Sequence, residues 1–348
     1  MEASSAFAGV SAASSLRNAD VWIDAAWNEQ NEAMTLKHAR MTFTAALAVL
    51  VLVVGIGRLR MSTGQAKGER SKLAGESVAS VCSLPDLLAL RPEALQAMDI
   101  ARMNLLCAEG LPGAEGLDVE RCLAVLDEMA TRVRSETERH LYRFRQNPAE
   151  FENSEGFFRM IMMGVVLAED FQVKYAPDKI ASAAEAHIGD GFFANARDVF
   201  LHGLTGPERR GTCSSLPVLQ VAVGRRLGYP LKLVTTKGHL FVRWEDARER
   251  FNIEATGRGV NRFPDDYYRR WPFEVSAAEE LEEGYLKSLS PAEELAVFLS
   301  IRGMCLRESG QSRRAFESFS AAARLAPGFR SYREMASTLQ GNDASRNK

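Results

Sequence analysis

A thiol, an imidazole and a carboxylate at Cys213, His239 and Glu254 are residue types that can together attack an acyl carbon through sulfur. In such chemistry the imidazole draws the proton from the thiol, and the carboxylate fixes the imidazole tautomer and stabilises the imidazolium. Cys213 lies in the segment RRGTCSSLPVLQVAVGRRLG. Ser214 and Ser215 offer capping oxygens and Pro217 suits a first helical turn, so Cys213 is expected at a helix amino terminus. Leu216, Leu219, Ala222 and Val223 continue one apolar helical face, which Gly228 and then Pro230 bring to an end. Aligned peptide dipoles at such a helix start favour a thiolate, and its free amides can hold an oxyanion.

Three strand-like runs follow, 231–235, 239–245 (HLFVRWE) and 250–255 (RFNIEA), all rich in branched and aromatic residues. The last two are expected to pair as an antiparallel hairpin. Alternation puts Leu240, Val242 and Trp244 on one face, together with Phe251 and Ile253 if the turn centres between Asp246 and Ala247. That register sets His239 directly opposite Glu254, and Phe241 opposite Asn252, where cross-strand Cβ atoms stand roughly 4.5 to 5.5 Å apart. Asn252 faces the same way as Glu254 and is the second choice for orienting the imidazole. His202 could line the same site, although a structural role suits it better; Asn195 is a guess for a second oxyanion donor.

The order of these motifs, a cysteine opening a helix in GTCSSLP, a histidine opening a strand in GHLFVRWE and an acid closing the next strand in FNIEATGRG, resembles the transglutaminase-like superfamily of papain-type folds. The resemblance is closest to its bacterial branch, with a helical domain before the core and tetratricopeptide helices after it, and it runs from about Leu87 to Pro327. It implies Cys213 as nucleophile, His239 as general base and acid, and Glu254 as the orienting acid. The superfamily usually carries aspartate at the third position, followed by proline and threonine, whereas this chain reads Glu254, Ala255, Thr256.

The elements that must position these residues are expected on both sides of the motifs. A helical domain spans 76–185; one of its helices opens at Asp118 and stripes Val119, Cys122, Leu123, Leu126, Met129 and Val133 along one face. The run Phe157 to Leu167 is apolar on nearly all sides and suits a buried helix. The transglutaminase-like core covers 186–275, with a central helix and an antiparallel sheet. From 280 to 340, Ala296, Leu299, Gly303, Leu306, Gly310, Ala315, Phe319, Ala322, Leu325 and Pro327 fall at the offsets of a tetratricopeptide-like helix pair. One such pair is too little to stand alone, so it is expected to dock on the preceding domain. The fold class is therefore α+β.

At the amino-terminal end, a polar tail (1–40) precedes an uncharged apolar run (41–57) and a polar linker (58–75). The run is long enough for one membrane span, and the basic residues after it put the remainder of a single-pass protein in the cytoplasm; a start at Met61 would leave a wholly soluble cytoplasmic protein. A net charge of -2, with 46% hydrophobic and 25% charged residues, describes an ordinary globular chain with no sequence-wide bias toward polyanions, and its short basic pairs lack clustering, so nucleic acid is not an expected partner. The five cysteines (Cys82, Cys107, Cys122, Cys213 and Cys305) include no Cys-x-x-Cys pair, which argues against both a disulfide framework and a zinc site. Cys107 and Cys122 read as small buried hydrophobes. The expected activity is a bacterial cysteine-type hydrolase or acyl transferase acting on a peptide or protein amide, with no cofactor. The rival, from a different class, is a catalytically inactive, membrane-tethered interaction module that holds a protein partner on its tetratricopeptide-like helices.

Overall fold

The computed structural model describes residues 81–179, 191–256 and 260–346. The tail 1–40, the apolar run 41–57 and the linker 58–75 lie outside the described residues. Among the described residues no helix is long and apolar enough to cross a membrane, and the expectation of a single-pass membrane protein is corrected on that finding.

Among the described residues, four α-helices come first: α1 (Leu84–Ala89), α2 (Ile100–Ala108), α3 (Val119–Gln146) and α4 (Glu155–Glu169). Helix α3 starts where expected because the Asp118 side chain accepts a hydrogen bond from the Arg121 N–H, satisfying one of the free donors of the first turn. Its stripe is core: Leu126, Met129 and Val133 are fully buried. Helix α4, capped by Ser154, buries Phe157, Met160, Ile161 and Met163 on several sides.

The middle of the chain supplies β1 (Lys174–Tyr175), α5 (Ala196–Val199), α6 (Leu201–Thr205), β2 (Arg210–Gly211), α7 (Leu216–Arg226), β3 (Leu231–Thr236), β4 (His239–Glu245) and β5 (Arg250–Ile253). Strands β1 and β2 form a short parallel pair, and β3, β4 and β5 form an antiparallel sheet with β4 in the centre. The protein is thus of mixed α+β class. The turn before β4 is tight, with Thr236 paired to His239; Gly238 there takes φ 72°, and a Cβ on it would come within 2.6 Å of the Phe273 ring. Glycine is the residue that this left-handed, closely approached position admits.

The sheet has two different faces. Leu233, Leu240, Val242, Trp244, Phe251 and Ile253 join α4 and α7 in one continuous apolar core. Each large side chain withdrawn from water there contributes on the order of 1.5–3 kcal/mol. The opposite face carries His239, Phe241 and Arg243 of β4 and is covered by Tyr268 of α8 (Asp265–Tyr268) and by Leu286.

After α9 (Ala277–Glu282) come α10 (Pro291–Glu308), α11 (Ser312–Leu325) and α12 (Arg330–Arg346). Helix α10 opens with a capping box between Ser290 and Glu293. Its Gly303 lies against the Phe319 ring, where a Cβ would meet ring carbon at 2.6 Å, so glycine is what lets α10 and α11 approach. These helices are docked, as their sequence led one to expect. Buried Arg302 donates to the Cys107 and Glu109 carbonyls at the end of α2, and buried Glu294 accepts from the two terminal guanidinium nitrogens of Arg225 from α7.

Candidate active site

His239 and Glu254 meet inside the protein. The imidazole Nε2 lies 2.9 Å from Glu254 Oε2, and both side chains are almost wholly buried. The other carboxylate oxygen accepts from the Thr256 backbone N–H at 2.9 Å and from the Thr256 hydroxyl. Burial alone would lower the His239 pKa, but the charge of Glu254 and the hydrogen bonds that the ring donates to Cys213 and Glu254 outweigh it and push it up to about 9. Burial would raise the Glu254 pKa, but the charge and hydrogen bond of His239, joined by the bonds from Thr256, outweigh it and hold it below the usual carboxylate value.

The pair forms through a register other than the expected one. Val242 pairs with Ile253, Arg243 with Asn252 and Trp244 with Phe251. Continued by one step, this ladder puts Glu254 across from Phe241 and diagonal to His239. The cause is the turn: the Asp246 carboxylate accepts the Arg248 and Glu249 N–H groups and so holds open a longer loop, 246–249, than a two-residue turn at Asp246 and Ala247. A shift by two keeps every side chain on its expected face. Diagonal neighbours stand roughly 7–8 Å apart, and the extra methylene of glutamate over aspartate supplies that reach.

Cys213 lies just ahead of the amino terminus of α7. Ser215 occupies the cap position without a side-chain capping bond. Its hydroxyl instead donates to the Asp198 carbonyl and accepts from the Thr212 N–H, while the Thr212 hydroxyl donates to that same carbonyl. Ser215, expected to cap the helix, thus joins Thr212 in tying the cysteine turn to α5. The Cys213 side chain, half-buried, shares a hydrogen-bond interaction with His239. Since Nε2 is taken by Glu254, Nδ1 is the ring atom left for the sulfur. Burial pushes the Cys107 and Cys305 thiols up to about 12 and raises Cys122.

The alternatives to this trio are engaged elsewhere. Asn252 accepts from Arg243 Nε at 2.8 Å and donates to the Phe263 carbonyl and Asp265, so it does not orient His239. His202 contacts the Gly113 carbonyl at 3.1 Å, and burial, the larger effect, lowers its pKa. Asn195 caps α5 by accepting the Arg197 N–H. Among the described residues no three His, Cys, Asp or Glu side chains converge as metal ligands.

Several neighbours carried no signal in the sequence. Trp271, 37% exposed, packs edge-on against the His239 ring at 4.7 Å between centroids, and Tyr268 stacks on Phe241 at 3.7 Å. Tyr175 of β1 hydrogen-bonds both the backbone and the side chain of Cys213. Beside it opens a cavity of about 130 Å³ bounded by α4, α7 and the residues after β5, with Tyr175, Leu216 and Thr256 in its wall. Only Thr256 was within reach of sequence reasoning, because a threonine two residues after an acid can bond back to it. Comparison with protein-family models, with curated proteins and with solved structures finds no match to this chain.

Proposed function

We propose that the chain is a cysteine enzyme of transglutaminase-like type that cleaves or transfers an amide acyl group, with Cys213 as nucleophile, His239 as base and acid, and Glu254 as orienting acid. The observation that carries the reading is the buried 2.9 Å contact from His239 Nε2 to Glu254, which leaves Nδ1 for Cys213. A ring held by Glu254 with its Nε2–H donated to the carboxylate presents a lone pair at Nδ1 to take the thiol proton. An imidazolium favoured up to about 9 is the counter-ion that an attacking thiolate requires. Attack on an amide carbonyl gives a tetrahedral oxyanion; its collapse expels the amine with the proton from His239 and leaves a thioester. Water or a second amine then resolves the thioester, so one site serves hydrolysis or transfer. Helices α10 and α11, read as a tetratricopeptide-like pair, brace the core through Arg302 and Glu294 in this proposal.

The test is the rate of carboxamidomethylation of each cysteine by iodoacetamide at neutral pH, resolved by peptide mapping of the full chain. Cys213 is expected to react faster than the exposed Cys82, and His239→Ala to remove at least tenfold of that rate. Reaction of Cys213 no faster than Cys82, unaffected by His239→Ala, would overturn the enzyme and leave the inert interaction module.

A further inference from the structure

We propose that Tyr175 is a catalytic residue of this site, its hydroxyl donating alongside the Cys213 backbone N–H to the oxyanion formed when Cys213 attacks a carbonyl. The inference rests on the cysteine-enzyme reading above. Tyr175 is held by backbone: β1 runs parallel to β2 with Tyr175 paired to Gly211, and the Ala176 N–H donates to the Gly211 carbonyl at 2.8 Å. The phenol is thereby fixed beside the turn that carries Cys213. Its oxygen accepts from the Cys213 backbone N–H and also bonds the thiol side chain, so the phenol stands against both the N–H and the sulfur.

Tyr175 also walls the 130 Å³ cavity, with Leu216 and Thr256, so the residue that touches Cys213 borders space for a ligand. A substrate carbonyl reaching Cys213 from there would take the N–H over from the phenol oxygen, and its own oxygen would then accept from both the N–H and the phenol O–H. As the S–C bond forms, the C=O π pair moves onto that oxygen; on collapse the double bond returns, the C–N bond breaks and the amine leaves with the His239 proton. The nearby hydroxyls of Thr212 and Ser215 already donate to the Asp198 carbonyl, and Asn195 caps α5, whereas the phenol bonds Cys213 itself. Burial, with the Cys213 charge next, raises the Tyr175 pKa, so the hydroxyl keeps its proton at any working pH.

Two reactions of the same thiol separate this role from a structural one. Acylation by p-nitrophenyl acetate passes through an oxyanion and expels p-nitrophenolate, whereas alkylation by iodoacetamide displaces iodide at a methylene carbon and forms none. In the full chain, Tyr175→Phe is expected to lower the ratio of the two Cys213 rates by about 10- to 100-fold. Both rates are read at one thiol in one preparation, so a change in the folded fraction cancels from the ratio. An unchanged ratio, whether both rates hold or both fall together, overturns the assignment while leaving the cysteine-enzyme reading intact. A wild-type Cys213 with no His239-dependent reactivity overturns that reading and the role of Tyr175 with it.

Discussion

Two buried charged clusters share one face of β4 and β5. At one end His239 and Glu254 form a pair; further along, Arg243, with a side chain only 1% exposed, donates to Asn252, the Leu286 carbonyl and Asp265. Both clusters are ionic, desolvated and hydrogen-bonded, so burial and charge pairing do not by themselves mark a site for chemistry. The Arg243 cluster is closed: its donors end on internal acceptors, and Asp265 is further held by Arg250. The His239 cluster is open, with one ring nitrogen turned to a thiol and a cavity next to the tyrosine that touches that thiol. A spare valence on a titrating group, beside space for a ligand, is what distinguishes the second from the first.

The comparison breaks most forcefully at Arg243. Arg243→Met should cost about 3–5 kcal/mol in urea unfolding, because Asp265 and Asn252 lose their buried partner. The ratio of acylation to alkylation at Cys213 in the folded fraction should hold; if that ratio collapses instead, the two clusters are one unit. At the other end the balance reverses. Glu254→Asp, one methylene short on the diagonal, should slow Cys213 acylation by about tenfold, and Glu254→Gln by more, with a stability loss of only about 1–2 kcal/mol. An aspartate as active as glutamate would show that the diagonal geometry does not set the reach.

The smallest effect expected is a pH dependence of stability. The His239 pKa is raised above its unfolded value of 6.5, so its contribution is complete below that pH and is lost as pH rises through about 9. Glu254, with its pKa lowered from 4.5, contributes above that value and loses its share on acidification. The melting temperatures of wild type and Glu254→Gln should therefore differ most near pH 6, and the gap should narrow between about pH 6.5 and about pH 9. A constant gap over that range would mean that the pair is not coupled through charge.

Much of the scaffold was legible in residue order. Asp118 and its apolar stripe define α3, the glycine and phenylalanine at 303 and 319 mark a close helix pair, and the alternation in HLFVRWE puts His239 and Glu254 on one face. These follow from local rules, in which a cap, a helical period or a strand period is written within a few residues. The pairing partner was not local. Asp246 chose a longer turn and moved the ladder by two, and only the three-dimensional closure shows that a glutamate then spans the diagonal.

Other decisions were tertiary from the outset. Ser214 and Ser215 look like helix caps in isolation, yet Ser215 is drawn away by the Asp198 carbonyl, which arrives from α5. Asn252 is as well placed as Glu254 by alternation, but Arg243 claims it. Tyr175 stands far from Cys213 in the chain and reaches it through a two-stranded parallel contact that no periodicity announces. The sequence by itself determined which residues could react and which faces they share, because side-chain chemistry and backbone period are local properties. The tertiary structure decided which of them touch, because hydrogen-bond partners are allotted by competition among groups brought together from distant segments.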